Sequence, residues 1–130
     1  MASIAEFEIE EREGVTIAHL DGEVDISNVG EVKRRLTDCV PNSALGLVVD
    51  LSGVRYLDSS GLHVLFEISG ALSNRRQSIR VVAPEGSASQ RVLELTAFDR
   101  VVPMSASVAE AVTGIGSDSR VTARPDRSSG

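Results

Sequence analysis

The sequence is poor in aromatic residues and has almost no cysteine. Its 130 residues include no tryptophan, and aromatic residues make up only 3% of the chain. A surface that stacks on nucleic-acid bases needs several aromatic side chains, so the composition disfavours one. Cys39 is the single cysteine, which excludes an internal disulfide and a cysteine-based metal cluster. The two histidines, His19 and His63, do not add a ligand-like spacing, so we expect no metal and no cofactor.

Long apolar runs and excess positive charge are also missing. No apolar run approaches the roughly 18 residues of a membrane-spanning helix. The first residues lack the basic and then apolar order of a signal peptide. Together these features predict a cytoplasmic protein without a membrane partner. The net charge of -6 would repel a phosphate backbone, so we expect no direct nucleic-acid partner.

Apolar residues recur with strand and helix periods along most of the chain. Segment 5–10 alternates in polarity, and segment 15–20 follows the turn signal Glu13-Gly14, which predicts two antiparallel strands. Three further strands are predicted from short apolar runs at 45–51, 79–83 and 101–102. Four helices are predicted from helical spacing at 28–36, 62–72, 90–95 and 105–112. The order β-β-α-β-α-β-α-β-α predicts an α/β fold with a mixed, mostly parallel sheet.

The composition shifts after Thr113. The last residues are rich in serine, glycine, arginine and aspartate, and they contain few side chains able to build a core. We therefore predict one domain over residues 1–113 and a disordered tail over residues 114–130.

The most informative stretch lies between a buried strand and a helix. There Asp58-Ser59-Ser60-Gly61 is delivered to the first turn of the helix. Helix N-termini present unpaired N–H groups and a partial positive charge, so they stabilise an anion. A serine at this place is suited to carry a phosphate, which adds about -1.5 to -2 charge. The same residues also fit helix capping without any further function.

Three segments resemble one family. Asp50-x-Ser52, five residues and then Asp58-Ser59-Ser60-Gly61 is similar to the signature of the anti-sigma factor antagonists among the STAS domains. Gly22-Glu23-Val24-Asp25 resembles the family's Gly-Glu-Leu-Asp at the end of the second strand, and residues 91–100 resemble its third helix and following turn. Asn28 and Gly30 depart from the usual residues of the first helix. The resemblance covers roughly residues 4–112 and implies the STAS fold.

The resemblance implies a binding switch in transcription regulation rather than an enzyme. In the family, the second serine of the pair is phosphorylated by the partner, an anti-sigma factor that is a serine kinase; here that serine is Ser60. Unmodified chain would bind the anti-sigma factor and release a sigma factor, as in stress responses. Phosphate on Ser60, repelled by Asp58 and Asp25, would switch binding off until a phosphatase removes it. The implied partner-binding residues are Asp25, Asp58, Ser59, Ser60, Gly61 and Leu62.

Two other readings compete with this hypothesis. Ser60, Asp58 and either histidine are the residue types of a hydrolase triad, but the turn lacks Gly-x-Ser-x-Gly, so we do not expect catalysis. STAS domains also serve as scaffolds of stress-signalling complexes and as subunits of lipid-transport ATPases. These roles share the motif and remain alternatives.

Overall fold

The computed structural model of the chain describes residues 5–123. The strands are β1 (Ala5–Arg12), β2 (Val15–Val24), β3 (Gly46–Leu57), β4 (Ser78–Val82) and β5 (Met104–Ser105). The helices are α1 (Val29–Asp38), α2 (Ser59–Asn74), α3 (Ala88–Leu95) and α4 (Val108–Ala123), with a 3-10 turn at Phe98–Arg100. The predicted order of strands and helices is confirmed.

The five strands form one mixed sheet in the order β1-β2-β3-β4-β5. β1 pairs with β2 in antiparallel register, and the other neighbours are parallel. Glu13 and Gly14 join β1 to β2 with φ values of 56° and 81°. Positive φ at both loop positions suits the twist of a two-residue hairpin, and glycine adopts it without strain.

Helices cover the sheet on both faces, but unequally. On one face, α1, α2 and α3 bury the larger core, which includes Leu47, Val49 and Leu51 of β3. On the other face, α4 alone packs on the sheet, and its Ile115 is buried beside Val48. Burial on both faces explains why β3 begins with a nearly continuous apolar run.

The predicted start of the tail is corrected by α4, which continues through Gly114 to Ala123. Ile115 is completely buried, and Arg80 Nη2 of β4 lies 3.1 Å from Asp118 Oδ2 of α4. Gly114 and Gly116 have low helix propensity, but the packing of α4 on the sheet outweighs that local preference. The remaining tail residues, 124–130, lie outside the described part of the chain.

The last strand also differs from the prediction. Val101 and Val102 do not pair as a strand; their N–H groups donate to the carbonyl of Phe98 and close the 3-10 turn. Val102 and Phe98 are completely buried, so packing rather than strand preference decides this segment. β5 follows at Met104–Ser105, after Pro103.

Candidate functional site

The start of α2 is fixed by an aspartate cap. β3 ends at Leu57, and Asp58 follows in extended conformation as the N-cap residue. Its Oδ1 atom accepts the backbone N–H of Ser60 at 2.9 Å and that of Gly61 at 3.3 Å. Ser59 and Ser60 therefore occupy the first turn, where the sequence predicts them, and Asp58 satisfies two of the otherwise unpaired helix donors.

The predicted partner-binding residues differ in exposure. Ser59 is exposed and Ser60 is half-buried, whereas Gly61 and Leu62 are buried. A Cβ atom on Gly61 would lie 2.5 Å from Leu57 Cδ1, so the absence of a side chain allows α2 to pack on β3. The serines reach the surface, and the two residues after them hold the helix in place.

The turn from β2 to α1 is held by its own side chains. Asp25 Oδ1 accepts the N–H of Ser27 at 2.9 Å and the Ser27 hydroxyl at 2.5 Å. Asn28 accepts the N–H of Asp25 at 3.0 Å and donates to the carbonyl of Glu23 at 2.8 Å. Ile26 lies between Asp25 and Ser27 in this turn, and 77% of the residue is exposed to solvent.

A groove of about 460 Å³ separates α1 from α2 beside the two serines. We call it the α1–α2 groove. It is lined by Ile26, Val29, Gly30, Lys33, Ser59, Ser60, His63, Val64 and Glu67. Apolar side chains come from both helices, while charged groups stand at one side. A groove of this kind offers apolar contact area to a protein partner.

One carboxylate organises the charged side of the α1–α2 groove. Glu67 lies 3.2 Å from Lys33 Nζ through Oε1 and 3.2 Å from His63 Nε2 through Oε2. The hydrogen bond from Lys33, with the neighbouring positive charge, lowers the pKa of Glu67 below its ordinary value. All three side chains are accessible to solvent.

A second hollow shares Ile26 with the α1–α2 groove. It is lined by Glu23, Asp25, Ile26, Ser27, Tyr56 and Asp58, and we call it the acidic hollow. Tyr56 is 49% exposed there. Sequence reasoning missed Ile26 and Tyr56 as surface residues of the site. The available signal was an isoleucine within the polar turn segment Asp25-Ile26-Ser27-Asn28.

The candidate triad residues Asp58, His63 and His19 have contacts other than those of a hydrolase triad. Asp58 accepts backbone N–H groups, and His63 contacts Glu67. His19 lies on the α4 side of the sheet, with Nδ1 2.6 Å from Asp50 and Nε2 2.8 Å from Glu10. Among residues 5–123, no group of three or more histidine, cysteine, aspartate or glutamate side chains is arranged to hold a metal ion.

The thiol of Cys39 has a local structural contact. It is half-buried and donates to the carbonyl of Leu36 at 3.3 Å, near the end of α1. Burial raises the pKa of the thiol.

Within the described residues, no helix is long and apolar enough to cross a membrane.

The five-stranded mixed sheet with helices on both faces is the architecture of a STAS domain. The profile of the STAS domain family matches residues 6–111, and the chain belongs to this family. The resemblance seen in the sequence is therefore confirmed at the level of the family.

Individual relatives agree with this assignment. The anti-sigma-F factor antagonist RsfB of Mycobacterium tuberculosis H37Rv is 27% identical over 108 residues, covering 82% of this chain and 86% of the relative. The crystal structure of an anti-sigma factor antagonist from Mycobacterium paratuberculosis superposes with a TM-score of 0.77 and 27% identity, over 86% of this chain and 94% of that one. The unphosphorylated antagonist SpoIIAA, at 14% identity and a TM-score of 0.68 over 86% and 97% of the chains, shares the fold.

Proposed function

We propose that this protein is an anti-sigma factor antagonist that works by partner switching in the cytoplasm. The observation that carries the proposal is the place of Ser59 and Ser60, in an aspartate-capped first turn at the edge of the α1–α2 groove. The mycobacterial relatives, which are anti-sigma factor antagonists, support it. In this proposal, unmodified chain binds an anti-sigma factor through the groove and the adjoining turns, and the sigma factor is released.

Phosphorylation of Ser60 reverses the interaction. The anti-sigma factor, a serine kinase, transfers the γ-phosphoryl group of ATP to Ser60 Oγ, releasing ADP and the hydroxyl proton. The phosphate adds bulk and about -1.5 to -2 charge beside the groove. A loss of about 3–4 kcal/mol in binding weakens the affinity by two to three orders of magnitude, enough for a switch. A phosphatase hydrolyses the ester and restores the binding form.

The proposal is tested with the anti-sigma factor kinases of the organism that encodes this chain. We expect ATP to add one phosphate, mapped by mass spectrometry to Ser60, and Ser60→Ala to prevent it. Ser60→Ala should still bind the anti-sigma factor in calorimetry, because loss of one partly exposed hydroxyl changes little. Ser60→Asp should bind weakly, since it adds a carboxylate beside Asp58.

Ser59→Ala is the matched control, because it removes the neighbouring hydroxyl from the same turn. Phosphorylation should persist in this variant. A phosphate mapped to Ser59 would refute the assignment of the site to Ser60 but would keep the phosphorylation switch. If neither serine is modified and Ser60→Asp binds normally, the switch is refuted and a scaffold role in a signalling complex is favoured.

A further inference from the structure

Two nitrogen-bearing side chains, Lys33 and His63, line the α1–α2 groove together with Ser60. His63 follows Ser60 by three positions on α2, a spacing that places two side chains next to each other on one helix face. Lys33 reaches the same groove from α1. Each contacts a different oxygen of Glu67, both at 3.2 Å. One carboxylate thus holds a lysine and a histidine in the groove that Ser60 also lines.

We infer that a phosphate on Ser60 is bound within the chain by Lys33 and His63, which exchange Glu67 for the phosphate oxygens. The inference rests on the proposed phosphorylation. A phosphoserine carries three strong acceptor oxygens and more charge than Glu67. Ammonium and protonated imidazole groups form charge-assisted hydrogen bonds with such oxygens. The contacts to Glu67 are solvent-accessible, with the Lys33 side chain 48% and the His63 side chain 73% exposed, so these two side chains are able to change partner.

The negative groups around Ser60 also direct a phosphate toward the α1–α2 groove. Asp25 and Asp58 line the acidic hollow, whereas Ser60 lines the groove together with Lys33. Repulsion from the hollow and attraction from the groove therefore act in the same direction. Glu67 is the remaining carboxylate on the groove side, and it must be displaced.

The bound phosphate also changes access to the α1–α2 groove. A phosphate held by both helices bridges α1 and α2 at the serine end of the groove. The partner then loses access to the apolar lining, in addition to meeting a new negative charge. The expected effects of the phosphate, its bulk and its repulsion by Asp58 and Asp25, are thereby extended by a contact between the two helices.

The inference is tested on full-length chain with phosphoserine incorporated at position 60 during translation, so no kinase is needed. The readout is the ³¹P NMR titration midpoint of the second phosphate ionisation, which lies near 6 for a free phosphoserine. Neighbouring cations favour the dianion, so Lys33→Gln should raise the midpoint by about 0.3 to 1 unit. Glu67→Gln should lower it, because both nitrogen groups are released to the phosphate. Arg91→Gln is the matched control, since it removes the same charge from an exposed position on α3, outside the groove.

A midpoint in Lys33→Gln that equals the midpoint in Arg91→Gln overturns the inference, provided circular dichroism shows both variants folded. A shift confined to Lys33→Gln, with the opposite shift in Glu67→Gln, supports it. His63→Gln should raise the midpoint in the same direction as Lys33→Gln, and no change there removes His63 from the site. Because the phosphate is installed directly, the absence of any partner kinase would refute the proposed function without changing this result.

Discussion

His19 Nδ1 lies 2.6 Å from Asp50 Oδ2 on the neighbouring strand, while His19 Nε2 lies 2.8 Å from Glu10 Oε1 on β1. Ionised carboxylates only accept hydrogen bonds, so a ring that donates to both must carry two protons. Burial opposes the charged ring, but the hydrogen bonds to Glu10 and Asp50 together outweigh it and raise the pKa of His19. The protonated ring therefore ties the edge strand β1 to β2 and β3.

The hydrogen bonds of His19 to Asp50 and Glu10 predict that the stability of the protein depends on pH. The pKa of His19 is raised in the folded state, so its contribution is fully present below the unfolded value of about 6.5. The contribution is lost as the pH rises through the folded pKa. We expect the free energy of unfolding to fall by about 1 kcal/mol between pH 5.5 and pH 8.5, measured by urea denaturation.

His19→Gln should remove most of this pH dependence. His63→Gln is the control, because it removes the other histidine, whose side chain is 73% exposed. An equal loss of pH dependence in both variants would contradict the assignment to His19.

The pKa of Asp50 is lowered: its burial favours the neutral form, but hydrogen bonds from Ser52 and His19 outweigh that effect. Its contribution is therefore lost at acid pH, as the pH falls through its folded pKa.

Two glycines of α2 should respond in opposite ways to alanine. A Cβ on Gly61 would lie 2.5 Å from Leu57 Cδ1 and 3.0 Å from Val24 Cγ1, both on buried residues. We expect Gly61→Ala to destabilise the protein by about 1–3 kcal/mol, because the core must shift to admit the methyl group. A Cβ on Gly70 meets nothing within 4 Å, so Gly70→Ala should stabilise the helix by up to about 1 kcal/mol. Urea unfolding of both variants decides the point, and equal effects would refute the packing argument.

Truncation should separate the end of α4 from the residues beyond it. Removing residues 114–130 deletes the buried Ile115 and the partner of Arg80, Asp118. We expect a loss of about 2–5 kcal/mol in the free energy of unfolding. Removing only residues 124–130 should change it by less than about 0.5 kcal/mol, as the composition suggests. Equal stability of the two truncated chains in thermal unfolding would contradict the role of Ile115.

Ile26 should contribute to partner binding without contributing to stability. It lines both the α1–α2 groove and the acidic hollow, and it is 77% exposed. If the chain binds an anti-sigma factor through the groove as proposed, Ile26→Ser should weaken the complex at least about tenfold, because a large apolar side chain buried within an interface carries much of the affinity. Leu95→Ser, at a residue 81% exposed on α3, is the matched control and should bind normally. Both variants are compared by calorimetry. Normal binding by Ile26→Ser would show that Ile26 does not contribute to the interface.

Local pattern was sufficient where a segment's neighbours along the chain decide its structure. The alternation in β1 and the apolar run of β3 predicted two strands, and both are present. The Asp58 cap was predictable because an aspartate before a helical pattern bonds to N–H groups two and three residues ahead. The family resemblance added the hypothesis that Ser60 of the serine pair is phosphorylated.

Other features depend on contacts between distant segments, and the sequence did not predict them. α4 extends past two glycines because Ile115 meets the sheet, and β5 begins after Val102 because the buried Phe98 and Val102 close a turn. The contact of Lys33 with Glu67 joins two helices, and that of His19 with Asp50 joins two strands.

The sequence by itself determined the order of strands and helices, the capped turn and the family, since these follow from periodicity and short motifs. Only the tertiary structure decided which polar groups meet and where a groove opens. Those outcomes depend on how α1 packs against α2 and on which face of the sheet α4 covers, and neither is encoded in any one segment.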